Sequence, residues 1–525
     1  MIARSSVVLF ALAALALSQA DNTSLTFDQI PISKDLHYVP CFQNFTCARM
    51  EVPLDYKDPK VGNTHVALLK WPAPKQPALG DLIFNPGGPG YSAVDELLGL
   101  TGPLSRLLGE RYNIVALEPR GIQYSGPSVH CFGESDELGL TYLTSRGPAG
   151  WTDHPQRAKT FETTGAFGSW CSNVLSETAN YVNTPAVAAD MLHYSELLAK
   201  SQGKPCNDTK VNLYGNSYGT TLGMTFAQLY PDRVGHFILD AVVDIEDHYF
   251  GNWSQNLLQG DEAVNDLFTS CAAAGPRCAL YQNGSTAESI KKRVDDLLLR
   301  LVDAPISATN PKEVLLPITV DDKPLRSAMR NAVYNPSAYF APLAQQIAEL
   351  ERGNASSFGT PINIGEGGDS ESSFATDIYG GIFTRCLDNQ KRFPGTLEAM
   401  EDLFVYNKQL STYFGESWAN ENLLECRNIR FTPPVSQRID KISKVKTNTP
   451  ILFTDNTIDG LSSSYHKMSP LFEGSVVMLQ KANGHGLLVA RSNCTETNLQ
   501  QYLETGKLPP HNTICDTDYQ PFPEV

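Results

Sequence analysis

The sequence predicts an α/β fold: a mainly parallel sheet, helices on both faces, and an inserted helical lid. Three observations predict it. Short apolar runs rich in branched and aromatic residues alternate with segments of helical periodicity through the first half of the chain. From about 245 to 442 only helical segments are evident. Two strand-like runs, 449–460 and 475–488, then resume the alternation.

The elements follow in order. Residues 1–20 have the form of a secretory signal: Arg4 is the positive end, Val7 to Leu17 is an apolar run too short to cross a bilayer, and Ser18-Gln19-Ala20 is a small-x-small cleavage site. A mature chain starting near Asp21, secreted and without membrane attachment, is expected. Residues 21–49 read as a polar, irregular N-terminal extension. A first core part spans 50–244. In it "VALLKW" (66–71), "DLIFN" (81–85), "YNIVALEPRG" (112–121) and "VGHFILDAVVD" (234–244) read as strands, and "AVDELLGL" as a helix. The segment 184–201 has helical periodicity, with Thr184 as N-cap and Pro185 in the first turn. The lid spans 245–442. Its clearest helices are 285–304 and 336–353, and "EGGDSESS" (366–373) is a polar loop. Residues 443–525 complete the core.

Composition narrows the function. With 525 residues, 42% hydrophobic, the chain can bury a large core. A net charge of -16 disfavours nucleic acid, whose phosphates it would repel. N-x-S/T sequons at Asn22, Asn44, Asn207, Asn252, Asn283, Asn354 and Asn493 are glycosylation candidates in an exported chain. Export also makes disulfides of most of the 11 cysteines. Pairing neighbours gives 41–47, 131–171, 271–278, 386–426 and 494–515 and leaves Cys206 over, although sequence does not fix connectivity. No C-x-x-C or H-E-x-x-H pattern supports a metal, and no cofactor is expected.

The chemistry centres on Gly215-Asn216-Ser217-Tyr218-Gly219. G-x-S-x-G alone is weak, but here a strand precedes it and a helix follows. That context makes a tight turn presenting Ser217 as nucleophile at the top of an α/β-hydrolase sheet. A serine hydroxyl needs a base, and this fold orders its triad Ser, acid, His. Of the later histidines, His236, His248, His466 and His511 sit in a strand, at the lid's start, after "DGLSSSY" and in the tail. His485 sits between two glycines after a strand and is the expected base. Asp455 and Asp459 both qualify as the acid. Asp459, nearer the turn, is preferred. The oxyanion donors expected are the backbone N–H groups of Tyr218 and of Gly88 in "NPGGPG".

Together these residues resemble the α/β-hydrolases related to prolyl aminopeptidases, and most closely the secreted tripeptidyl-aminopeptidase-like group. The resemblance runs roughly from Met50 to Cys515, through "NPGGPG", "EPRG", "GNSYG", "NTIDG", "GHG", "CAAAGPRCAL" and "TGKLPPHNTIC". It implies Ser217, Asp459 and His485 as triad, with Gly88 and Tyr218 at the oxyanion. Pro86, Glu118 and Gly460 depart from the histidine, aspartate and proline of the family pattern. The expected function is a serine exopeptidase releasing amino acids or short peptides from peptide N-termini. The alternative is a carboxylester or lactone hydrolase acting on a small molecule with the same triad. Exopeptidase action needs a carboxylate to bind the substrate ammonium, and Glu246, Asp247 and Glu262 are in range by sequence, each also readable as a solvated residue.

Overall fold

The computed structural model describes residues 26–133, 135–145, 154–359, 371–391, 395–422 and 424–524. The expected signal segment, Asn22 and most of the 366–373 loop lie outside them. Among the described residues, eleven strands form one sheet. They are β1 (Ile32–Ser33), β2 (Val39–Cys41), β3 (Phe45–Pro53), β4 (Asn63–Trp71), β5 (Gly80–Asn85), β6 (Tyr112–Leu117), β7 (Val211–Asn216), β8 (Val234–Asp240), β11 (Leu452–Ile458), β12 (Val476–Asn483) and β13 (Thr513–Cys515). A separate hairpin pairs β9 (Ile306–Ala308) with β10 (Ile318–Val320).

The strand order is β1-β3-β4-β6-β5-β7-β8-β11-β12-β13, with β2 on β3. From β6 to β13 every pairing is parallel, and β4 joins β6 antiparallel. The order reverses at β5, which is flanked by β6 and β7. In open α/β sheets such a reversal leaves a crevice beyond the carboxyl ends of the strands. Asn85 pairs with Gly215 there, so "NPGGPG" and "GNSYG" leave the sheet side by side.

Alternation fixes the two faces. Ile83, Val115, Leu117, Leu213, Phe237 and Leu239 pack against the helices Thr184–Ser201 and Tyr218–Leu229 through Val187, Met191, Leu222 and Phe226. Their neighbours Leu82, Phe84, Ile114, Ala116, Tyr214 and Ile238 face the helices Ala93–Leu108 and Asn493–Thr505, where Leu97, Leu104, Leu107, Leu499, Tyr502 and Leu503 are buried. Burial on both sides is why these strands read as continuous apolar runs.

A third core belongs to a helical layer over the carboxyl ends of the strands. It contains Leu267, Phe268, Leu297, Leu301, Phe340 and Phe383 from the stretch between β8 and β11. It also takes in Val129, Cys131, Phe167, Cys171 and Val182, which lie between β6 and the helix at 184. The helix His154–Val174 thus packs with the layer rather than with the sheet, and the layer draws on two stretches of chain.

Three local expectations change. The extension 21–49 is not irregular: β1, β2 and the start of β3 add an edge to the sheet, tied by the Cys41–Cys47 disulfide. The N-cap of the helix at 184 is Asn183, whose Oδ1 accepts the Ala186 N–H at 3.0 Å, while Thr184 is already helical. Residues 371–373 open the helix Glu371–Asp388 instead of continuing a loop. The neighbour pairing of cysteines is the pairing found, with all five bonds formed and Cys206 free. Asn44, Asn207, Asn283, Asn354 and Asn493 are exposed and Asn252 is half-buried. No described helix is long and apolar enough to cross a membrane.

"EPRG" is structural. Arg120 and Asp190 are fully buried, with Nε–Oδ2 at 2.7 Å, and the guanidinium also donates to the carbonyls of Pro53 and Leu54. It clamps the end of β3 to the helix at 184. Removing one partner strands a buried charge, which costs about 3–5 kcal/mol. Arg120→Ala should therefore lose about that much unfolding free energy in a denaturant titration; a loss under about 1 kcal/mol would contradict the clamp.

Candidate active site

Ser217 directly follows β7 with φ 55° and ψ -122°, strained backbone for a residue with a side chain. Its N–H donates to the Asp240 carbonyl at 2.9 Å, and the helix Tyr218–Leu229 begins directly after it. The two glycines of the motif are required by close backbone approach. A Cβ on Gly215 would lie 2.7 Å from the Gly219 carbonyl carbon, and one on Gly219 would lie 2.7 Å from the Asn85 carbonyl oxygen. Ser217 keeps partial exposure. It stands at the positive end of a 12-residue helix.

The acid and the imidazole meet. His485 Nδ1 lies 3.0 Å and 3.1 Å from the two carboxylate oxygens of Asp459. Asp459 is buried, and it also accepts the N–H groups of Leu461 and Ser462 and the Ser462 hydroxyl at 2.9–3.0 Å. The His485 N–H donates to the Tyr334 carbonyl at 2.9 Å, and the Tyr334 ring stands edge-on to the imidazole. With Nδ1 engaged, Nε2 is the nitrogen left to act on a proton. Burial opposes the charged imidazole, but the carboxylates of Asp459 and Asp240 outweigh it and raise the pKa of His485 above its ordinary 6.5.

Asp455, the other acid considered, has different hydrogen-bond partners. It accepts the N–H groups of Val242 and Asn456. Burial, and then the charges of Asp459 and Asp240, push its pKa well up.

Asp240, which sequence reasoning passed over, joins the three segments. Buried at the end of β8, its side chain accepts from Tyr214 Oη (2.8 Å), Asn216 Nδ2 (3.1 Å), Thr454 Oγ1 (3.1 Å) and the Leu487 N–H (3.0 Å). The histidine loop therefore rests on the serine turn: a Cβ on Gly486 would overlap Asn216 and lie 3.2 Å from the Asp240 carboxylate. An aspartate interrupting the apolar run "VGHFILDAVV" was the available signal. Gln259 was also missed; its Oε1 accepts the Asp459 N–H at 3.0 Å from the helical layer.

The glycine turn lies against the nucleophile. A Cβ on Gly87 would be 2.8 Å from the Ser217 Cβ and 3.3 Å from the Tyr218 nitrogen. The Gly87 N–H is already bonded to Asn85 Oδ1 at 3.1 Å, which directs attention to the next amide, that of half-exposed Gly88. Tyr218 opens its helix, so its N–H has no intrahelical acceptor.

The other histidines lie apart from this group: His236 contacts Tyr112 and Tyr502, His248 is bonded to Asp388, and His466 and His511 are exposed. Glu246 pairs with Lys467, Asp247 accepts the N–H groups of Asn252 and Gln255, and Glu262 is exposed. Gly460, where the family pattern often has proline, lies against the helical layer; a Cβ there would be 2.7 Å from that of Ala263. Among the described residues, no group of three or more His, Cys, Asp or Glu could hold a metal.

Comparison with known proteins agrees with this architecture. Residues 82–287 match the family described as alpha/beta hydrolase fold, and residues 411–515 the family described as TAP-like protein. Serine protease Hip1 of Mycobacterium tuberculosis is 30% identical over 198 residues, 38% of this chain. That match spans only 36% of the length of Hip1. Tripeptidyl aminopeptidase of Streptomyces lividans is 23% identical over 500 residues, 91% of this chain and 84% of that protein. Carboxylesterase B of M. tuberculosis is 33% identical over 109 residues, 20% of this chain and 21% of that protein. The chain has the α/β-hydrolase fold, and the resemblance to tripeptidyl-aminopeptidase-like hydrolases carried by its motifs is borne out.

Because Asp459 raises the pKa of His485, Asp459→Asn should lower it, as read from imidazole proton shifts in a pH titration. Asp455→Asn should leave that titration in place. The sign also sets stability: the pair's contribution is fully present below the ordinary 6.5 and fades as pH rises through the raised value. An unchanged imidazole titration in Asp459→Asn would contradict the pairing.

Proposed function

We propose that the protein is an extracellular serine hydrolase that cleaves peptides near their N-termini through an acyl-enzyme. The observation that carries this reading is the 3.0 Å contact of His485 with Asp459, on a loop packed against the strained turn of Ser217. His485 Nε2 takes the Ser217 hydroxyl proton as Oγ attacks the carbonyl. Asp459 holds the tautomer and stabilises the imidazolium. The N–H groups of Tyr218 and Gly88 receive the oxyanion. The imidazolium returns its proton to the leaving amine, and water, activated by the same nitrogen, releases the acyl group.

Peptide substrates are supported by the tripeptidyl aminopeptidase and Hip1 relatives. The helical layer, covering the carboxyl ends of the strands, would act as the lid that limits entry to chain ends. Export is supported by the signal-like residues 1–20 and by five disulfides, which persist in oxidising compartments. A carboxylester hydrolase is the second reading, favoured by the carboxylesterase B match.

Ser217→Ala should abolish both labelling by a fluorophosphonate and turnover; undiminished turnover would refute the mechanism. Asp459→Asn should lower kcat by roughly 10⁴-fold, as loss of the orienting acid does in serine proteases. Because His485 acts as a base only when neutral, activity should rise with pH through a value above 6.5. A panel of aminoacyl, tripeptidyl and acyl chromogenic substrates separates the readings: faster cleavage of short acyl esters than of any peptide amide would favour the esterase.

A further inference from the structure

The helix Glu371–Asp388 reaches both sides of the oxyanion pocket assigned above. Midway along it the backbone itself is the contact surface. Gly380 and Gly381 are buried. A Cβ on Gly381 would overlap the Pro89 carbonyl oxygen and lie 3.2 Å from the Gly90 Cα. One on Gly380 would overlap Ile122 and lie 2.6 Å from the Gly121 carbonyl oxygen. The helix thus lies directly on the turn that carries Gly88, with no room for a side chain between them.

Its last residue reaches the other donor. Asp388 is buried; Oδ1 accepts the Thr184 N–H at 2.9 Å, and Oδ2 accepts the Thr184 hydroxyl at 2.5 Å and faces His248 Nε2 at 2.8 Å. The single Thr184 hydroxyl proton goes to the carboxylate. In the 2.5 Å contact between Tyr218 Oη and Thr184 Oγ1, the phenol is therefore the donor. The His248 ring lies 5.8 Å from that of Tyr218, and all four side chains are buried. A buried chain of short hydrogen bonds of this kind restricts how far its members can move. Here it restrains the first residue of the helix that follows Ser217.

We propose that the helix Glu371–Asp388 is a positioning element for the oxyanion pocket, setting the Gly88 turn through Gly381 and the Tyr218 amide through Asp388 and Thr184. The proposal rests on the serine-hydrolase reading and adds to it that the docked helical layer is needed for chemistry as well as for substrate selection. Oxyanion donors act only when aimed at the place where charge develops, so displacement of either donor lowers kcat more than it raises KM.

The test uses purified full-length Gly381→Ala, Asp388→Asn and Tyr218→Phe beside the native enzyme. Fluorophosphonate labelling counts active serines, and a matched pair of phenyl oxo- and thionoesters of one short acyl group is the substrate. The expected result is a fall in oxoester kcat per labelled site of about 10- to 100-fold, with KM within about 3-fold, since complete loss of one donor costs about 10²–10³. Thionoester turnover, which draws less on those donors, should fall less, and the acid limb set by His485 should stay where it is. Equal losses on both esters, or a lower melting temperature with normal kcat per labelled site, would mean a purely structural helix and overturn the proposal. If Gly381→Ala does not fold, the two shape-conserving variants decide. A native enzyme that fails to label would overturn the hydrolase reading and this proposal with it; a native enzyme that labels beside variants that behave normally would overturn this proposal alone.

Discussion

One buried carboxylate holds the site in register. Asp240 ends β8, between the strand that leads to Ser217 and the strand that leads to Asp459. Its backbone carbonyl accepts the Ser217 N–H, and its side chain accepts from β7, β11 and the loop two residues beyond His485. Burial raises its pKa, and the four donors work against that rise. Such a group is costly unless every lone pair is engaged, so it tolerates little movement among its partners. The strained Ser217 conformation persists because the segments around it are fixed in this way.

The helical layer is joined to the same points. Gln259 accepts from the backbone of Asp459, Asn483 donates to the Ala263 carbonyl, and the Tyr334 carbonyl accepts from His485. The chain's end adds a strap: Tyr519 donates to Asp266 at 2.5 Å, and Phe522 is buried while its carbonyl accepts from Arg277. Acid and base loops thus each carry a bond from the sheet below and one from the layer above. The proposed lid and the Ser217–Asp459–His485 group are thus mechanically linked.

What could be read from the sequence follows from how local each cause is. The strands of the parallel sheet showed because burial on both faces makes them uniformly apolar. Ser217, Asp459 and His485 showed because each sits where a strand ends in a turn that needs glycine or a short polar residue. β3 was harder: "FTCARMEVP" mixes charge into a strand near the sheet's edge and resembles a loop. The placement of the helix at 154 with the layer is decided by packing against Ile429 and its neighbours, remote in sequence. Asn183 and Thr184 are both good caps, and only the backbone geometry separates them. Asp240, Gln259 and Asp388 act through contacts at separations of 247, 200 and 204 residues, which no periodicity records.

The crowding of carboxylates around one imidazole has its own logic. Asp240, Asp455 and Asp459 are all buried, and like charges at such range cannot all be carried without penalty. The donors decide where charge is held. Asp455 has two backbone N–H groups and no cation, and its pKa is driven well up. Asp459 has two backbone N–H groups, a hydroxyl and the imidazole as partners. The choice between the two aspartates of "FTDNTIDG" is therefore made by hydrogen-bond supply as much as by distance, and the strand end that lies nearer the turn is the one that can gather it.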